Sequence, residues 1–214
     1  MRRRPRLTLE TLDGLQYSID VERHAERTLE TGWAIDDYTQ PLPGERPGEP
    51  EPGGPWQTAV AVVEGYEFAD PRRIRATWDP GAPLKDRSML LEARFLGLRF
   101  LVGTRVYRVV DECRVDPDGA DVRARGWGYA TLSGHFETGT MDYEVRKRLS
   151  DGAVEFRVHV VSRRAPVRNP FVRIGFRLVG RRLQRRFARN ACRRVAILVG
   201  QRTAARANGV PSAS

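Results

Sequence analysis

An α+β fold is predicted, a curved antiparallel sheet wrapped on one long C-terminal helix. Three observations carry that expectation. Between Ile74 and Val160 the apolar side chains recur mostly with period two, as they do along half-buried strands. Two Asp-Gly pairs, Asp118-Gly119 and Asp151-Gly152, interrupt this region where hairpin turns would fall. Beyond Asn169 the spacing lengthens to three or four residues and holds for about thirty residues, the repeat of a helix with one apolar stripe.

Taken in order, the chain starts with "RLTLETLDGLQYSID", a short apolar-polar stretch, and then "VERHAERTLETG", which predicts a short helix ending at Gly32. The segment from Pro41 to Pro55, "PLPGERPGEPEPGGP", is so rich in Pro, Gly and Glu that neither helix nor sheet is expected to offset its ordering entropy. Pro55 stands where a first helical residue would, so "WQTAVAVVEGYEF" is assigned to a helix, although its apolar run also fits a buried strand.

From Ile74 the strands begin: Ile74, Ala76 and Trp78 alternate with charged or polar residues, and Met89 to Phe95 and Leu98 to Val110 are rich in branched and aromatic side chains. In the last hairpin Met141, Tyr143 and Val145 oppose Asp142, Glu144 and Arg146, so one face is expected to be wet. The final helix opens with Asn169 as its cap and Pro170 in its first turn. Its stripe is Val172, Phe176, Val179, Leu183, Phe187, Ala191 and Val195.

The 214 residues, 40% hydrophobic and 30% charged, fit a single domain over residues 1–214 with a loop at 41–55 and a frayed tail at about 207–214. Cys113 and Cys192 have no metal or redox spacing, and a reducing compartment is the simpler reading. The basic start lacks an apolar run after it, so a cytoplasmic location is expected. The net charge of +10 raises a nucleic-acid partner, yet the excess is almost all arginine, as a GC-rich coding sequence would give. A helical projection spreads the arginines of the last helix widely, which favours a solvated face over nucleic acid and leaves peripheral contact with an anionic membrane open.

Three blocks carry a family resemblance: "GWGYATLSGHFETG", "YEVRKRLSDGAVEFRVHVVSR" and "NPFVRIGFRLVGRRLQRRFARNACRR". They resemble the DUF1990 family, also called UPF0548, and "YEFADPRRIRATWDPGAPLKDRSMLLEARF" is similar to its actinobacterial branch. The family brings no established activity. Thr140 departs from its pattern, standing where relatives commonly carry an acidic residue, which weakens any scheme needing a second carboxylate there. The order of sheet and long helix also resembles the helix-grip fold of START-like and Bet v 1-like proteins, which implies an apolar cavity between sheet and helix.

The stretch from Gly126 to Val145 concentrates the candidate residues. On a regular strand Trp127, Tyr129, Thr131, Ser133 and His135 would share one face, making a wall for a small apolar or amphipathic ligand, with Glu137 orienting His135. Alternatively Gly134 and Gly139 mark a turn whose backbone is bonded by His135 and Glu137. A third reading makes His135 and Glu137 an acid–base pair, the carboxylate raising the imidazole pKa. No motif supplies a nucleophile or a cofactor site, and His24, His135 and His159 have no metal-ligand spacing.

Overall fold

The computed structural model describes residues 7–23, 26–95, 98–135, 137–164 and 170–208, with residues 95, 98, 164, 170–180 and 207 described as backbone only. The elements are α1 (Leu9–Leu12), β1 (Ala34–Leu42), α2 (Pro55–Glu64), β2 (Ile74–Thr77), β3 (Ser88–Phe95), β4 (Leu98–Val115), β5 (Asp121–Thr131), β6 (Glu137–Arg148), β7 (Val154–Arg164) and α3 (Pro170–Ala207). All seven strands form one antiparallel sheet in the order β1-β7-β6-β5-β4-β3-β2, and α2 and α3 pack on one of its faces. This is the helix-grip-like arrangement expected from the sequence.

Strands β2 to β7 follow the predicted meander. Facing the helices are Trp127 and Tyr129 on β5, Met141, Tyr143 and Val145 on β6, and Val154, Phe156, Val158 and Val160 on β7, all buried in one core. The opposite face of the same strands carries charge, as expected: Arg114 pairs with Glu144 at 2.5 Å and Arg146 with Glu155 at 3.2 Å. Neither turn is the two-residue primed type. Gly119 alone takes a left-handed φ of 82° in a three-residue loop closed by Asp116 N–H to Ala120 O, and Gly152 does so at 75° in a four-residue loop.

Two expectations need correction at the N-terminal side. No helix forms among the described residues between 21 and 32, where Thr28 and Thr31 bond each other's backbone and side chains and turn the chain instead. Short hydroxyl side chains compete with a helix by this route. His24 lies outside the described residues. The Pro-rich segment is likewise not free of structure: Pro41 and Leu42 end β1, and Glu45 N–H and Gly48 N–H donate to Gly152 O (3.0 Å) and Leu149 O (2.7 Å). A buried ion pair anchors it, with Lys147 Nζ 2.8 Å from Glu45 Oε2 and both side chains fully enclosed.

Strand β1 was missed because its inward positions are not uniformly apolar. Ala34, Tyr38 and Leu42 share the helix-covered face with Asp36 and Gln40, and Asp36 is held there by Arg185 (3.2 Å) and Arg181 (3.6 Å) of α3. Helix α3 buries Ala188, Ala191, Cys192, Val195 and Val199 against the core, with Phe187 half-buried, so the predicted stripe holds from Phe187 to Val195. The side chains of Val172, Phe176 and Val179 lie outside the described residues. Arg194 Nε donates to Glu67 O (2.7 Å), Arg202 forks onto the Glu67 carboxylate, and Arg206 donates to Gly53 O (2.7 Å), clamping both ends of α2.

Candidate functional site

Helix α2 ends in a way that shapes the interior. Glu67 N–H donates to Val62 O (3.0 Å) and Tyr66 N–H to Val63 O (3.2 Å), the paired bonds of a Schellman cap. The left-handed position in that cap normally falls to glycine, but here Tyr66 occupies it with φ 57°. A bulky residue in this conformation costs about 1 kcal/mol. What the chain gains is a phenol ring driven into the core between Phe68 (4.7 Å) and Trp127 (6.0 Å, centroid distances).

Trp127 and Tyr129 reach the same place from the sheet. In register on β6, Tyr143 faces Trp127 and Met141 faces Tyr129, and the Trp127 and Tyr143 rings lie 5.2 Å apart. The indole N–H is satisfied by Val63 O at 3.1 Å. The phenols are less well served. Met141 Sδ accepts from the hydroxyls of Tyr143 (2.9 Å) and Tyr129 (3.5 Å), while the Tyr66 hydroxyl, beside both, makes no well-aligned hydrogen bond among the described residues. Burial pushes the Tyr129 pKa up to about 12 and raises those of Tyr66 and Tyr143 well above the usual phenol range, so all three stay protonated donors. The arrangement therefore gathers three O–H donors around a thioether, a weak acceptor.

The other sequence candidates have different surroundings. β5 stops at Thr131, Leu132 makes a single bridge to Tyr17, and the chain turns at Ser133-Gly134 with Gly134 at φ 94°. Strand alternation thus no longer aligns Ser133 and His135 with Trp127, Tyr129 and Thr131. Thr131 Oγ1 accepts from Gly139 N–H (3.0 Å) and is bonded to Ser18 Oγ, and Thr138 Oγ1 donates to Ser18 O (3.0 Å). Its hydroxyl serves to clasp the N-terminal segment to β5 and β6.

The turn reading describes His135 better than the strand reading does. Its backbone N–H donates to Leu132 O (3.2 Å), and its Nδ1 accepts from the Glu137 backbone N–H (2.9 Å). The ring keeps a partly exposed edge, yet desolvation dominates and takes its pKa down from 6.5 to about 4. That direction is opposite to the one an imidazole raised by Glu137 would show. Since the unfolded chain binds this proton near pH 6.5 and the folded one does not, stability is complete above that pH and falls as pH drops toward 4. Between pH 6.5 and 5 the loss from this group is about 2 kcal/mol. Urea titrations across that range are expected to show the loss in the parent and its absence in His135→Asn, and equal slopes would contradict a buried neutral imidazole.

The other residues with imidazole, hydroxyl or thiol side chains near the sheet take structural places. His159 Nδ1 lies 2.9 Å from Asp37 Oδ1 on the face away from the helices, where Arg157 also holds that carboxylate at 2.7 Å. Ser162 Oγ donates to Gln184 Oε1 of α3 (3.2 Å). Cys113 is exposed on β4, and burial pushes the Cys192 thiol up to about 11. Among the described residues no group of three or more His, Cys, Asp or Glu side chains is placed to hold a metal ion, and no helix is long and apolar enough to cross a membrane. An open cleft of about 360 Å³ lies at the margin of the helix-covered face, lined by Glu64, Leu84, Arg87, Val109, Asp111 and Arg125.

Sequence reasoning found Trp127 and Tyr129 but missed Tyr66, Met141 and Tyr143 as members of one cluster. The alternation of β6 was legible, and pairing it with β5 would have brought Met141 and Tyr143 beside them. Nothing local marks Tyr66, which arrives through a helix cap.

Among solved structures the chain is similar to Ara h 8.0201, with 13% identity and a TM-score of 0.46 over 79% of this chain and 99% of that one. It is similar to a protein of unknown function, SA2116, from Staphylococcus aureus, with 6% identity and a TM-score of 0.46 over 80% and 96% of the two chains. It is also similar to ginseng major latex-like protein 151 from Panax ginseng, with 8% identity and a TM-score of 0.40 over 77% and 96%. No curated protein matches it in sequence. The model of the domain of unknown function DUF1990 matches residues 19–194, most of the chain and all three sequence blocks, and the protein therefore belongs to the DUF1990 family.

Proposed function

We propose that this protein binds a small, largely apolar molecule carrying an oxygen acceptor, held between the sheet and α3 with its acceptor against the hydroxyls of Tyr66, Tyr129 and Tyr143. The observation that carries the reading is the Tyr66 hydroxyl, on a ring 6% exposed, which lacks an aligned hydrogen bond among the described residues although its residue adopts a left-handed backbone to place it there. Buried donors without good acceptors are costly, and strain concentrates where a ligand must be met. A carbonyl or ether oxygen would replace the weak Met141 sulfur as the common acceptor, while Trp127 and Phe68 supply apolar contact. Thr131 and His135 then support the site's end rather than line it.

Native mass spectrometry of the protein purified from its own host tests this, with a bound species of constant mass expected. Tyr66→Phe keeps the ring and removes the donor, and should weaken retention about tenfold while leaving thermal stability within about 1 kcal/mol of the parent. Absence of any bound species in repeated preparations, or equal retention by Tyr66→Phe, would overturn the reading.

A further inference from the structure

Helix α3 has eleven arginines and no Asp or Glu in its 38 residues. Tertiary pairing divides them. Arg181 and Arg185 hold Asp36, Arg194 and Arg202 hold Glu67, and Arg206 holds Gly53 O. Arg182, Arg186, Arg189 and Arg193 are exposed and have no ion pair among the described residues. Their spacings of four, three and four residues put them in one row, about 60° wide and about 16 Å long. The row faces away from the buried Ala191 and Val195. Once the paired arginines are set aside, the broad spread expected from the helical projection narrows to a line.

A face serving solubility alone would interleave acids. Here like charges stand three and four residues apart with none between, each pair lowering helix stability. A codon bias toward arginine does not remove glutamate, so the absence of acids from this helix needs a separate reason. We infer that the Arg182–Arg186–Arg189–Arg193 row docks the phosphate backbone of duplex nucleic acid, without base readout.

Charge complementarity names the partner. A single line of guanidiniums matches a linear polyanion. An anionic bilayer would call for apolar side chains beside the cations, and on the described part of α3 only Ile197 is a large apolar residue left exposed. Single strands would call for stacking platforms, and the one aromatic residue of this part of α3, Phe187, is packed toward the core against Phe68 at 6.4 Å.

Four phosphate contacts predict that log affinity for a mixed-sequence DNA duplex falls with log salt at a slope of about −3.6. Replacing all four arginines by glutamine should take most of that slope away and weaken low-salt binding by about 100-fold, the loss the parent shows between about 50 and 200 mM salt. The control is a charge-matched variant with Arg72, Arg75, Arg99 and Arg108, exposed on the β2–β4 side, changed to glutamine. It should keep the parent's slope and affinity within threefold. Equal losses in both variants would reduce the effect to net charge and overturn the inference. So would no duplex binding at low salt, or binding to phosphatidylserine vesicles without binding to duplex. None of these outcomes bears on the interior ligand, which sits on the other side of the helix.

Discussion

Lys147→Met is expected to lower stability by about 3–5 kcal/mol. The ammonium of Lys147 is fully enclosed, 2.8 Å from Glu45 Oε2, and it also donates to Glu49 O at 2.8 Å. Removing it leaves a buried carboxylate with, among the described residues, only the backbone N–H groups of Trp56 (2.7 Å) and Glu51 (3.0 Å) to stabilise it. The cost comes from that orphaned charge more than from the lost attraction. Glu45→Gln in the Lys147→Met background should therefore recover part of the loss, since it removes the buried charge, while the single amide oxygen still accepts from one of those two N–H groups. Urea midpoints for the parent, the single variant and the double variant measure this directly. A loss in Lys147→Met below about 1 kcal/mol would mean that water reaches the pair.

Trp127→Ala is the second large effect, about 3–5 kcal/mol for removal of a buried ring. The indole touches the rings of Tyr66, Tyr129 and Tyr143 and is 2% exposed, so its loss opens the centre of the core. It also ends the bond to Val63 O, through which β5 holds the C-terminal cap of α2. Trp127→Phe retains most of the ring contact and should cost about 1–2 kcal/mol. Val63 O keeps the Tyr66 N–H as a donor, so no carbonyl is left unpaired. Near-parent stability in Trp127→Ala would show that the ring lies against open space instead of packed neighbours.

Particular residues show where sequence reading succeeds and stops. β5, β6 and β7 were legible because their inward positions are apolar or aromatic almost without exception, from Trp127 through Val160. β1 was not, because Asp36 and Gln40 occupy inward positions and Asp36 is neutralised by arginines about 150 residues later in the chain. The helix expected before Gly32 had the right composition but lost to hydroxyl bonds at Thr28 and Thr31. The Pro-rich segment looked unstructured because its anchor, Lys147, belongs to another strand.

The candidate site divides in the same way. Trp127 and Tyr129 could be placed on a common face from alternation alone, since side-chain direction within a strand depends only on local geometry. His135 could not, because a turn at Gly134 breaks the period just before it. Tyr66 joins the cluster from a different element, through a cap whose left-handed residue is a tyrosine where glycine would be the ordinary choice.

By itself the sequence determined the succession of β2 to β7, both Asp-Gly hairpins, the buried stripe of α3 around Ala191 and Val195, and the family. Each depends on interactions within a few residues or on a repeating pattern. Tertiary structure alone decided which arginines are neutralised, which phenols meet at Met141, and that Glu45 and Lys147 share a dry pocket. Charge and hydrogen-bond satisfaction are properties of pairs brought together from distant parts of the chain, and no local period encodes them.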